Sequence, residues 1–220
     1  MIQIENVDVF GFDVAIRGMR NPLNSWSKSD SGWKSDKTSV VEFKIGENDL
    51  KLMKNLSKAG NDHAKYLRMI NVTMDINAPL YWWKEFDTYK VGTVANSCST
   101  MHKIHAKEFT LDDFSHDQLI LWDINDNICN PAVPMGCLND TIDVLNACRE
   151  KFLETKDKMY WWQMIQLLPS SYNQRRTVQL NYQVLKNMYL ARKHHKLDEW
   201  IQFTKWCETL PYFKEVVLGE

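Results

Sequence analysis

The sequence predicts an α+β fold, because strand-type alternation comes early and amphipathic helical periodicity fills the second half. Its 220 residues are 44% hydrophobic and 12% aromatic, with nine Trp, which is enough apolar material for a real core and excludes wholesale disorder. No internal repeat or low-complexity segment interrupts the pattern, so residues 1–220 read as a single α+β domain.

The first strand is placed over Ile2 to Val14, with Val7, Val9 and Phe12 among its apolar positions. From Met19 to Lys37 the chain turns polar and reads as a surface loop in which Trp26 and Trp33 anchor onto their own domain. A helix opens after Ile45-Gly46: acidic residues suit its first turn, Leu50, Met53 and Leu56 repeat at helical spacing, and Gly60 stops it. A second strand covers Met69 to Ile76. It sets Ile70, Val72, Met74 and Ile76 on one face and ends at Ala78-Pro79, before an aromatic helix or turn at Leu80 to Trp83. Four helices follow. Thr141 to Leu153 is capped by Asn139 or Asp140, Asp157 to Leu168 is stopped by Pro169, and Val178 to Arg192 and Asp198 to Leu210 complete the set.

With 27 Lys and Arg against 28 Asp and Glu, no basic field exists to hold nucleic acid non-specifically. No uninterrupted apolar stretch approaches membrane-span length, and the first residues lack the pattern of a signal peptide. The five Cys (Cys98, Cys129, Cys137, Cys148 and Cys207) are odd in number and form no C-x-x-C, which predicts reduced thiols in a cytoplasmic protein.

Several weak motifs acquire meaning from their order. Gly60 is followed by the strand ending at Ala78-Pro79; Leu168-Pro169 precedes Asn181, and Arg192 lies eleven residues after Asn181. From about Ala15 to Trp200 the chain therefore resembles the flavin-dependent thymidylate synthases. Members of that family read G-H…E-H, a strand ending in A-P, an R-H-R-x-x-S-x-N-E-x-S-x-R-Y signature, then L-P, N-A-R-S-L and L-R. The resemblance implies a thymidylate-synthase-complementing-like fold with an antiparallel sheet and a helical second half. It also implies methylation of dUMP to dTMP with methylene-tetrahydrofolate and reduced flavin, FAD as cofactor, and a homo-oligomer, a tetramer, whose pockets form between subunits.

Carried over position by position, the family pattern puts Gln183 in the place of its first late arginine, Arg192 on its second and Asn187 on an asparagine of the same helix. Arg192, Asn181, Gln183 and Asn187, with Asn96 from the earlier signature, are the implied nucleotide-binding residues, and Ser99 is the implied catalytic hydroxyl. The departures are concentrated in that signature. R-H-R is replaced by Tyr89-Lys90-Val91, R-Y by Met101-His102, and the histidine of G-H by Asn61. Arginine is not freely replaced by lysine where planar, bidentate phosphate recognition matters. Arg68, Lys90 and His102 are left as a smaller set of cofactor-binding candidates.

Competing readings follow from the same residues. The Asn96 to Ser99 run can be a loop that satisfies its own backbone, and Arg192 can serve the negative end of its helix. His102 with His105, and His194-His195 with Asp198, do not converge three or four ligands, so no metal site is expected. Cys98 beside His102 lacks an orienting acid for nucleophilic catalysis. Three functional classes remain: the enzyme, a non-catalytic nucleotide- or protein-binding member of the same fold (for example a phage-encoded one), and an unrelated α+β domain. In the first two the partner is a nucleotide or other small molecule, without membrane and without nucleic acid.

Overall fold

The computed structural model describes residues 1–35, 41–121 and 133–219. The distal end of the predicted Met19–Lys37 loop and Cys129 lie outside these residues. In chain order the elements are β1 (Gln3–Phe10), α1 (Phe12–Arg20), β2 (Gly32–Ser35), β3 (Val41–Lys44), α2 (Glu47–Lys58), β4 (Asn71–Pro79), α3 (Leu80–Phe86), β5 (Val94–Ser97), α4 (Thr100–Lys103), α5 (Pro134–Thr155), α6 (Lys158–Leu167), β6 (Asn173–Asn181), α7 (Tyr182–Arg192) and α8 (Asp198–Cys207). Four strands form one sheet in the order β1-β4-β6-β5, while β2 and β3 form a separate antiparallel pair that sets Trp33 opposite Phe43. None of the described helices is long and apolar enough to cross a membrane.

The described chain divides into two compact units. The first unit comprises residues 1–3, 76–86 and 96–176. Its core includes Phe109, Phe114, Leu138, Ile142, Leu145 and Met164. The second comprises residues 4–75, 87–95 and 177–220. There Tyr66, Leu67, Val72, Tyr182, Leu185, Trp200, Phe203 and Phe213 are all buried.

Local chemistry explains the elements. β4 alternates as its sequence requires, with Val72, Met74 and Ile76 buried between half-buried polar residues. Asp157 caps α6 by accepting from the Met159 N–H at 2.8 Å, and the helix ends just before Pro169. α5 begins earlier than its periodicity implied, because Pro134 occupies the first turn, where its missing N–H costs nothing; neither Asn139 nor Asp140 is its cap.

Three expectations are corrected. The first strand ends at Phe10, and residues 12–20 form α1, whose buried Phe12, Ala15, Ile16 and Met19 make a helical stripe. The Met19 loop contains the strand β2 and two short 3-10 turns. Residues 178–181 are the end of a strand, not the start of a helix. Val178, Tyr182 and Leu185 are spaced as on one helix face, yet Gln174, Val178 and Leu180 alternate as buried residues of β6. The second half is thus helical around one inserted strand.

Candidate functional site

In the second unit, α7 starts without a linker. Asn181 is both the last residue of β6 and the N-cap of the helix, its Oδ1 accepting from the Val184 N–H at 3.1 Å. Asn181 therefore lies before the helix and not on one of its faces. The turn before β5 closes against this cap: a Cβ added to Gly92 would stand 3.1 Å from both Asn181 Nδ2 and Val184 Cγ2.

One turn into α7, Gln183 is buried at 6% exposure. Its Nε2 donates to Asn187 Oδ1 at 3.1 Å and, over a longer 3.4 Å, to Asn61 Oδ1. Gln183 and Asn187 meet because they stand one helical turn apart. Asn61 joins them from the turn that follows α2. Gln183 Oε1 is fully buried and has no hydrogen-bond partner among the described residues. Lys186, also on α7, donates to the Ser57 carbonyl and hydroxyl at 3.4 and 3.0 Å, and burial lowers its pKa from the ordinary lysine range.

Arg192, at the far end of α7, is built into its own unit. Its Nε donates to Tyr89 Oη at 3.0 Å, and its guanidinium carbon lies 4.9 Å from the Trp200 ring centroid and 5.7 Å from that of Tyr89. Arg68 and Lys90 are both exposed.

In the first unit, Asn96 lies in β5, whose four residues are all exposed. Ser99 caps the short helix α4, its Oγ accepting from the backbone N–H of His102 at 3.1 Å, and the His102 side chain is exposed. β5 leads into β6 neighbours through the Cys98 N–H, which donates to the Arg175 carbonyl at 3.0 Å, and through Gln174 Nε2, which donates to the Cys98 carbonyl at 2.8 Å. Arg176 covers the buried Trp83, with its guanidinium carbon 4.2 Å from the ring centroid, and donates to Gln174 Oε1 at 3.0 Å. Sequence reading passed over the Arg175-Arg176 pair because a helix was expected to begin just after it. The alternation of Gln174, Val178 and Leu180 was the available signal.

A further polar cluster was not anticipated. Arg20 and Asp49 form a buried ion pair at 2.6 Å. Arg20 also donates to the Ser25 carbonyl and hydroxyl at 3.1 and 3.3 Å. The other oxygen of Asp49 accepts from the Ser29 hydroxyl, the Asp30 N–H, and both the N–H and hydroxyl of Ser31. Burial pushes the Asp49 pKa up, but hydrogen bonds from Ser31, Ser29, Arg20 and the Asp30 backbone outweigh it and hold the carboxyl below its ordinary range. Cavities of about 190 and 590 Å3 flank Arg20, one reaching Trp26 and Phe43, the other Lys28 and Leu52. None of the site residues expected from the sequence lines either. Among the described residues no cluster of three or more metal-ligating side chains occurs.

The fold is similar to that of flavin-dependent thymidylate synthases, the family that the order of sequence motifs resembles. The chain matches a crystal structure of flavin dependent thymidylate synthase ThyX from Helicobacter pylori complexed with FAD and dUMP, at a TM-score of 0.68 and 14% identity over 99% of this chain and 98% of that one. A second Helicobacter pylori ThyX structure with FAD and dUMP matches at a TM-score of 0.65 and 14% identity, covering 100% of this chain and 98% of that one. The UMP/dUMP methylase PolB from Streptomyces cacaoi, bound with 5-Br UMP, matches at 0.63 and 13% identity, covering 100% of this chain and 95% of that one. No protein-family model matches the sequence, and no curated protein matches it. At these identities the likeness is one of fold.

Proposed function

We propose that the chain is a divergent dUMP methylase-type protein that binds a uridine-type nucleotide in the unit carrying α7. The hydrogen-bonded set Asn61, Gln183 and Asn187 carries this reading, because it gathers two implied nucleotide-binding residues around a buried acceptor that lacks a partner. The fold neighbours support it: two are bound to dUMP, and PolB is a UMP/dUMP methylase. Asn181 helps by fixing the start of α7, and Arg192 closes the far end of the same helix through Tyr89 and Trp200.

The cofactor fits less well. A flavin dinucleotide brings a pyrophosphate, which calls for converging guanidinium groups or helix N-termini. Gln183 offers a neutral amide where a charge would be needed, Asn181 already accepts from the first turn of α7, and Arg192 is committed to aromatic partners. Arg68 and Lys90 are exposed and contribute no buried clamp. These residues do not fit a pyrophosphate.

Within the full methylation reading, Ser99 remains the proposed catalytic hydroxyl, with Asn96 and His102 beside it in sequence. The non-catalytic reading is favoured by one observation: Ser99 Oγ is already engaged as the α4 cap. A visible absorption spectrum of the purified protein and a thermal-shift titration with dUMP test both. The expected outcome is an upward melting shift with dUMP and no flavin bands. No shift at millimolar dUMP overturns the nucleotide reading, and co-purifying flavin overturns the argument against the dinucleotide.

A further inference from the structure

Arg20 is a buried arginine with donors to spare. It is 4% exposed, yet it lines two cavities, of about 190 and 590 Å3. A guanidinium carries five N–H groups. Nε gives its one to Asp49, and Nη1 gives its two to the Ser25 carbonyl and hydroxyl. The two on Nη2 meet no acceptor among the described residues. Nη2 is not sealed away either, because the fully enclosed unpaired atoms of the described residues do not include it. Those two donors are what Arg20 has left for a ligand.

The smaller cavity suits a ring. Trp26 and Phe43 stand in its lining beside the buried Ile16. Trp26 is held by its Nε1 hydrogen bond to Asn21 Oδ1 at 2.8 Å, and Phe43 by an edge contact with Trp33 at 5.4 Å between centroids. Apolar cavities of about 150 Å3 take up benzene. A cavity of about 190 Å3 therefore admits one such ring with a small polar group. Entry is open, since Asp13, Arg17 and Trp26 in its lining are all exposed. Arg17 stands one turn before Arg20 on α1 and makes no hydrogen bond or ion pair among the described residues. The Ser29 and Ser31 hydroxyls give their protons to Asp49, so the donors left in the cavity are cationic. Formal charges nevertheless balance, Arg17 and Arg20 against Asp13 and Asp49. A dianion would lack compensation there, and a neutral carbonyl would leave Arg17 unused. We propose that this cavity binds a small aromatic monocarboxylate, which accepts from Arg20 Nη2 and Arg17 while its ring lies against Trp26 and Phe43. None of Asn61, Gln183 and Asn187 lines this cavity, so a carboxylate here leaves the nucleotide-binding reading untouched.

The test is isothermal titration of the full chain with benzoate, beside benzamide and phenyl phosphate, which keep the ring and replace its single charge by none or two. Benzoate is expected to bind saturably at millimolar concentration or below. It should bind about tenfold or more tightly than benzamide, the size of effect of a charge-assisted hydrogen bond, and more tightly than phenyl phosphate. Arg17→Gln and Trp26→Ala alter exposed residues, which keeps the assay usable should Arg20→Gln, which strands Asp49, not fold. Each of the two is expected to weaken benzoate about five- to tenfold with the circular dichroism spectrum of the wild type retained. No saturable benzoate binding at millimolar concentration overturns the site. Undiminished benzoate affinity in both folded variants also overturns it, because the anion then sits elsewhere. Benzamide or phenyl phosphate binding as tightly as benzoate overturns the assignment of a monocarboxylate.

Discussion

The guanidinium of Arg192 stacks over Trp200 and bonds Tyr89, so a ligand role for this residue is tied to stability. Arg192→Ala is expected to lose about 1–2 kcal/mol of stability through the stacked contact and its hydrogen bond, measured by urea denaturation. Asp49 lies at the other extreme of burial, 0% exposed and ion-paired. Asp49→Asn should cost about 3–5 kcal/mol, because it leaves Arg20 charged and uncompensated. The pKa of Asp49 is lowered in the folded state, so its contribution is fully present above the ordinary carboxylate range and is lost as pH falls through the folded value. Unfolding free energy measured along an acid titration should decline in the wild type and be flatter in Asp49→Asn. Glutamine at 183 was readable in the sequence as a departure from the family's arginine. Its unpaired oxygen was not, since it depends on Asn61, which is far away in the chain.

Elements whose signals were local were legible. α2, β4, α3 and α6 all stand near their expected positions, because acidic first turns, alternation, Pro79 and Asp157 act within a few residues. The Asp30 carboxylate takes the Asn48 and Asp49 N–H groups at 2.9 and 3.1 Å, so α2 is capped from a loop residue that no local window includes. That capping geometry leaves no room at Gly46, where a Cβ would stand 2.2 Å from Asp30 Cγ. Gly46→Ala should displace Asp30 and cost about 1–2 kcal/mol, the size of a lost cap, which differential scanning calorimetry can measure. Gly92 has φ +79 as well as its tight contact with Asn181, so Gly92→Ala should weaken the start of α7 and depress dUMP binding together. α1 escaped sequence reading because its first residues continue the strand pattern, and the end of β6 because its residues are also spaced as on a helix face; the buried stripe and the sheet decide the outcome.

For the molecule as a whole, the order of individually weak motifs along the chain foretold the fold, while its site chemistry depended on side chains brought together from distant segments. Saturating dUMP at a hundred times its dissociation constant should stabilise the chain by about 2.7 kcal/mol if binding is confined to the folded state, which a ligand series of melting curves will show. Assembly is open to a similar test. β5 lies at the edge of its sheet, and Val91 and Val94 nearby are 91% and 68% exposed. We propose a tetramer, for which sedimentation velocity at micromolar concentration should give a single species of about four chain masses. A clean monomer would remove this proposal.

Because Asn181 ends β6 and caps α7 at once, the helix carrying Gln183 and Asn187 has no spacer in which to absorb a change in chain length. An inserted or deleted residue at that junction would turn the whole helix by about 100° and swing both carboxamides off their common point. Substitution at these positions, by contrast, leaves the frame in place. The binding chemistry of such a protein can therefore drift one side chain at a time, from guanidinium to amide for instance, while its gene tolerates no indel there.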